Sequence, residues 1–181
     1  MNLDAIKATA EPLGMNWRTL AAIASVESSG NGFDKDGQVK VRFEPHHFNK
    51  RSETKMPFTD GGKGFSRIAS ETNRAAYLNA CEIDDSAAIE STSFGMFQIM
   101  GFHWKSLGYD SPQAFAEGMN YEAGQYRAFS LFIMRNKNLR DVAREGEPTL
   151  DDFRKFARTY NGPSNVENYA AKMFKAYRAL L

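Results

Sequence analysis

From residue 66 to the C-terminus the apolar residues recur at helical spacing almost without relief, and no other feature constrains the fold as much. The periodicity predicts helices over residues 66–81, 86–99 with a break near Ser93, 121–136, 150–160 and 165–181. Two shorter pieces are predicted at 103–107 and 112–119. Upstream, Trp17, Leu20, Ile23, Ala24 and Glu27 fall at spacings of three, four and seven, and Gly30 and Gly32 stop that first helix. Between Gly30 and Gly64 the character changes. Glycines, Pro45, Pro57 and the alternating stretch from Gln38 to Glu44 predict a short strand or hairpin set in loops. The expected fold class is mainly α (α+β), a helical globule with a small β-hairpin insertion after its first helix. No repeat, low-complexity stretch or Pro-rich linker marks a boundary, so residues 1–181 are read as a single domain.

Composition narrows the function. One cysteine closes no intramolecular disulfide, and three histidines leave little for a metal cage, so no metal and no cofactor are expected. A chain of 181 residues buries roughly 70% of its unfolded surface, enough for an ordinary core. With 23 Lys+Arg against 22 Asp+Glu, the formal charge of +1 lacks the cationic bias of a nucleic-acid binder. The first fourteen residues hold no apolar run of signal-peptide length, and nowhere do 18 uncharged apolar residues run together, so a protein made in a cytoplasm without a membrane anchor is expected. Cys81 reads as a small core residue.

Glu27 does not fit its surroundings. It shares the stripe of Leu20, Ile23 and Ala24, so a carboxyl is aimed where the apolar face goes. Burial and the negative end of the helix dipole both disfavour its ionised form, the condition a general acid needs near neutral pH. A glutamate at a helix end can equally turn to solvent or pair with a base such as Arg42. Glu44 follows at the end of the strand-like Val41-Arg42-Phe43, sharing a face with Arg42, and Pro45 stops the pairing. Two carboxyls flanking one cleft are what glycoside hydrolysis uses, whereas a surface Glu–Arg pair is the simpler account. The adjacent His46 and His47 match no zinc spacing and would point to opposite faces of a strand. His46 is better suited to orienting Glu44.

Two further segments combine polar groups with tight turns. In Ser91 to Gly101 the apolar residues dominate, so Ser93 and Gln98 need partners and Gly95 permits close backbone approach. In Phe156 to Pro163 a helix ends in Asn-Gly-Pro with Tyr160 and Asn161 in its last turn. Packing and capping explain each segment taken singly. The C-terminal stripe Val166, Tyr169, Met173, Tyr177 and Leu180 carries Lys172, Lys175 and Arg178 on other faces; it could touch anionic lipid, but packing against the core is the reading adopted.

Taken in order, Val26-Glu27-Ser28-Ser29-Gly30, Phe43-Glu44-Pro45-His46-His47-Phe48, Ser91 to Gly101 and Ala157 to Gly162 resemble the N-acetylmuramidase family of phage endolysins. More distantly, Glu27-Ser28, Gly95-Met96-Phe97-Gln98 and Tyr160-Asn161-Gly162 are similar to the motifs of goose-type lysozymes and soluble lytic transglycosylases. The resemblance implies a lysozyme-like, mainly helical fold and cleavage of the β-1,4 bond between N-acetylmuramic acid and N-acetylglucosamine. It makes Glu27 the catalytic acid and Glu44 the second functional carboxylate. Ser28, His46, Ser93, Gln98, Tyr160 and Asn161 become substrate-binding residues, with Tyr160 orienting Glu27. Pro45 departs from the basic residue common in relatives. The implied partner is the peptidoglycan glycan strand, met by a monomer that leaves the host cytoplasm through a separate membrane pore and acts in the periplasm. Two readings compete: a lytic transglycosylase, for which Glu44 is less needed, and a non-catalytic glycan-binding or membrane-active protein.

Overall fold

The computed structural model describes residues 2–28, 31–57, 59–60, 66–67 and 72–181, with side chains for all of these but 28, 59, 60, 66 and 67. In chain order the helices are α1 (Leu3–Ala10), α2 (Trp17–Ser28), α3 (Pro45–Arg51), α4 (Asn73–Glu90), α5 (Pro112–Met119), α6 (Glu122–Arg135), α7 (Lys137–Arg144), α8 (Leu150–Tyr160) and α9 (Val166–Arg178). The strands are β1 (Val41–Phe43), β2 (Thr59–Asp60), β3 (Ser66–Arg67), β4 (Thr92–Phe94) and β5 (Ile99–Met100). The chain divides into two compact units, Met1–Asn31 with Ala123–Leu181, and Gly32–Glu122.

In the first unit α2 is the central helix. Every residue from Thr19 to Ala24 is fully buried, so the helix is enclosed on all sides where the sequence predicts a single apolar stripe. Its small residues permit this, because Ala21, Ala22 and Ala24 let neighbours approach closely. Asn16 fixes the entry: its side-chain oxygen accepts from Arg18 N–H at 3.0 Å, and its amide donates to the carbonyls of Glu145 and Gly146. Helix α8 starts in a capping box between Thr149 and Asp152 and ends at Asn161, whose N–H donates to Ala157 O; Gly162 then turns the chain at φ +85°. The bounds of α8 and α5 are those the periodicity predicts. Helix α9 packs against α2 and α8 through Val166, Ala170, Met173 and Tyr177, so its stripe is a packing face.

The second unit holds the sheet, ordered β1-β4-β5 and antiparallel throughout, with Arg42 opposite Ser93 and Ser93 opposite Met100. This corrects the predicted helix over 86–99. Helix α4 ends at Glu90, and the next ten residues form the β4–β5 hairpin. Thr92, Phe94 and Ile99 suit a half-buried sheet, and a short apolar run does not distinguish helix from strand by periodicity alone. The insertion after α2 is therefore no self-contained hairpin. Within it Phe33 and Val39 form one isolated bridge, and β1 finds its partner fifty residues later.

The helix predicted over 66–81 also needs correction. Ser66 and Arg67 pair with Thr59 and Asp60 as a two-stranded ribbon, residues 68–71 lie outside the described residues, and α4 begins only after the Thr72 cap. The expected gap between residues 81 and 86 appears as a kink. Asp84 leaves the helical region (φ −157°, ψ 94°), and its carboxylate accepts from Ala87 N–H, recapping the second half of α4. Helices α1, α3 and α7 are absent from the sequence expectation. All are eight residues or fewer, too short for a periodic pattern to stand out. The piece predicted at 103–107 is a 3-10 turn over Gly101–His103.

Gly101 meets the end of α4 so closely that a Cβ there would lie 2.0 Å from the carbonyl oxygen of Ile89. The obstacle is backbone and cannot swing away. Gly101→Ala is therefore expected to cost about 1–3 kcal/mol of stability, read as a lowered denaturation midpoint with an unchanged m-value.

Candidate active site

In the first unit, Glu27 stands in the last turn of α2 and is half-buried. The Asn161 amide nitrogen lies 3.1 Å from each of its carboxylate oxygens, donating to both. Desolvation pushes the Glu27 carboxyl above the usual range, and the Asn161 bond opposes it more weakly. In the second unit the Arg42 Nε lies 3.1 Å from Glu44 Oε1.

Tyr160 belongs to the first unit, beside Glu27. Phe156 stacks on its ring at 5.5 Å, and Phe129 and Phe132 meet it edge-on at 5.8 Å each. Burial, and then the nearby Glu27 charge, hold its phenol far above the ordinary tyrosine range, so it stays protonated. The resemblance assigns the orienting of Glu27 to Tyr160, and Asn161 one residue later donates to the carboxylate. The three rings that wall Tyr160 are missed from sequence. Phe156 had a legible signal, standing one helical turn before Tyr160; Phe129 and Phe132 are distant in the chain and had none.

In the second unit, Glu44 caps the start of α3, and Pro45 occupies the first helical position, where its missing N–H costs nothing. That accounts for the proline where a basic residue is expected. The backbone of Glu44 is held from both sides, donating to Ser91 O at 2.9 Å and accepting from the N–H groups of His47 and Phe48. Its side chain is buried with Oε1 on Arg42 and Oε2 3.7 Å from His46 Nδ1. His46 and His47 lie on a helix and not on a strand, so their rings meet at 4.1 Å, tilted by 36°, instead of pointing apart. Desolvation, followed by the neighbouring His46, depresses the His47 pKa.

Ser93 donates its hydroxyl to Gln98 Oε1 at 2.8 Å, and Gln98 returns its amide to Gly95 O at 2.9 Å. The two residues thus brace the β4–β5 turn, in which Gly95 (φ +71°) and Gln98 (φ +50°) are both left-handed. The side chain of Ser28 lies outside the described residues. A cavity of about 340 Å³ in the second unit is lined by Arg74, Tyr77, Asp85 and Glu117 among others, and by none of the predicted site residues. No cluster of three metal-ligating side chains occurs among the described residues, and no described helix is long and apolar enough to cross a membrane.

A family profile for N-acetylmuramidases matches residues 16–181. The chain belongs to the N-acetylmuramidase family. It is 32% identical over 155 residues to the endolysin of Enterobacteria phage PRD1, covering 85% of this chain and 90% of that one. The crystal structure of the Burkholderia AP3 phage endolysin superposes with a TM-score of 0.80 at 30% identity, over 99% of this chain and 71% of the other. The fold is thus that of an endolysin, mainly α with a small β insertion, and the chain is a peptidoglycan-degrading enzyme of the muramidase family.

Proposed function

We propose that the enzyme hydrolyses the β-1,4 bond between N-acetylmuramic acid and N-acetylglucosamine, with residues 1–181 acting as one catalytic domain. The observation that carries this reading is the Glu27 carboxyl, half-buried at a helix end and with its pKa raised by desolvation, the direction a general acid needs. Glu27 gives its proton to the glycosidic oxygen as the C–O bond breaks, and a water adds to the sugar carbon and loses a proton. Glu44 is the second functional carboxylate, acting as base on that water or as the charge that stabilises the oxocarbenium-like state. Ser28, His46, Ser93, Gln98, Tyr160 and Asn161 are assigned to the glycan, Ser93 and Gln98 through the shape of the turn they brace. The enzyme reaches the wall from the host cytoplasm after a separate pore opens. The test is release of reducing ends from purified peptidoglycan by the native enzyme and by Glu27→Gln. Equal release by both would overturn the assignment.

A further inference from the structure

Asn161 places one amide nitrogen at 3.1 Å from both oxygens of Glu27, yet its own oxygen, Oδ1, is buried with no hydrogen-bond partner. A buried orphan acceptor beside a carboxyl that must cycle between acid and anion calls for a physical reason. The Nδ2 donor suits the anion best, since both carboxylate oxygens then accept, whereas the acid offers it only the carbonyl oxygen. A protonated carboxyl carries an O–H that needs an acceptor, and the other end of the same amide is a buried acceptor without a partner.

We infer that Asn161 is a positioning residue that follows the protonation state of Glu27, donating through Nδ2 to the anion and accepting through Oδ1 from the acid after a half-turn of its amide. The inference rests on the reading of Glu27 as the general acid. A half-turn about the Cβ–Cγ bond exchanges Oδ1 and Nδ2 between nearly identical positions, so neither the backbone nor Glu27 has to move. Either orientation leaves one amide atom unpaired in the same buried spot, and that penalty largely cancels between the two. An amide serves both states, whereas aspartate would set a second anion against Glu27 and leucine would bond neither form.

The pivot is well anchored. The Asn161 backbone N–H is bonded to Ala157 O at 2.8 Å, and Gly162 turns the chain immediately after it. Tyr160 of α8 keeps its proton. Lys7 of α1 and Arg18 lie over Trp17 at the opposite end of α2, and Glu167 of α9 is held by Arg154.

The experiment follows the Asn161 side-chain amide by NMR through a pH titration of the full-length enzyme, alongside the pH profile of wall hydrolysis. In the native enzyme the amide signals are expected to titrate with the midpoint that governs the basic limb of kcat. In Glu27→Gln, a mimic of the neutral acid, they are expected to stay constant with pH. Asn161→Leu should move the basic limb to higher pH, because the bond to the anion is the stronger of the two. Its kcat should fall about tenfold or more, with KM little changed. Flat amide signals in the native enzyme, or an unmoved limb in Asn161→Leu, would overturn the inference even with Glu27→Gln inactive. An active Glu27→Gln would overturn the acid assignment itself and the inference with it.

Discussion

Glu27→Gln is expected to lower wall hydrolysis by about 10²–10⁴-fold while the protein stays folded and melts higher than the native enzyme near neutral pH. The loss follows from chemistry. Glutamine fills the same volume at the end of α2 and can still meet the Asn161 amide, but it has no proton to give to a leaving oxygen. The gain in stability follows from linkage. A carboxyl whose pKa is raised in the folded state binds its proton more tightly there than in the unfolded chain, so unfolding free energy falls as pH rises from the ordinary carboxyl value through the raised one. Below that window Glu27 is protonated in both states and carries no such penalty. The difference in Tm between variant and native should therefore shrink on acidification. A variant that is inactive and also less stable at neutral pH would point to a structural role for Glu27.

Phe156→Ala carries the largest expected effect on stability. Phe156 is fully buried in α8, and its ring stacks on Tyr160, itself walled by Phe129 and Phe132. Truncation to alanine opens a cavity between these rings at a cost of about 3–5 kcal/mol. For a chain of this length each kcal/mol lowers Tm by about 2–4 °C. Activity should fall further than the loss of folded protein explains, because the cavity loosens the turn that carries Tyr160 and Asn161. Phe153→Ala is the comparison. Phe153 is equally buried and packs against Phe174 and Tyr177 of α9, so it should lose stability with less effect per folded molecule.

How much of this was legible in the sequence depends on the range of the interaction involved. The bounds of α5 and α8 are local, written in Pro112 at a helix start and in Asn161-Gly162-Pro163 at a helix end. Glu27 was also legible, because a carboxyl on an apolar stripe stands out within a single helix. The β4–β5 hairpin was not. Its short apolar runs fit either period, and what decides between them is the pairing of β4 with β1, a contact across fifty residues. The partner of Glu27 was nearly legible. The sequence singled out both Tyr160 and Asn161, but that Asn161 donates to both oxygens depends on the direction its side chain takes beyond the last turn of α8. The role of Pro45 became clear only with α3, a helix too short to announce itself.

The most direct test of the account is mass spectrometry of purified peptidoglycan digested by the native enzyme. Hydrolysis with Glu27 as acid predicts muropeptides ending in reducible N-acetylmuramic acid, absent when Glu27→Gln replaces the native enzyme. Products ending in 1,6-anhydromuramic acid, in reducing N-acetylglucosamine, or in newly freed peptide amines would contradict it.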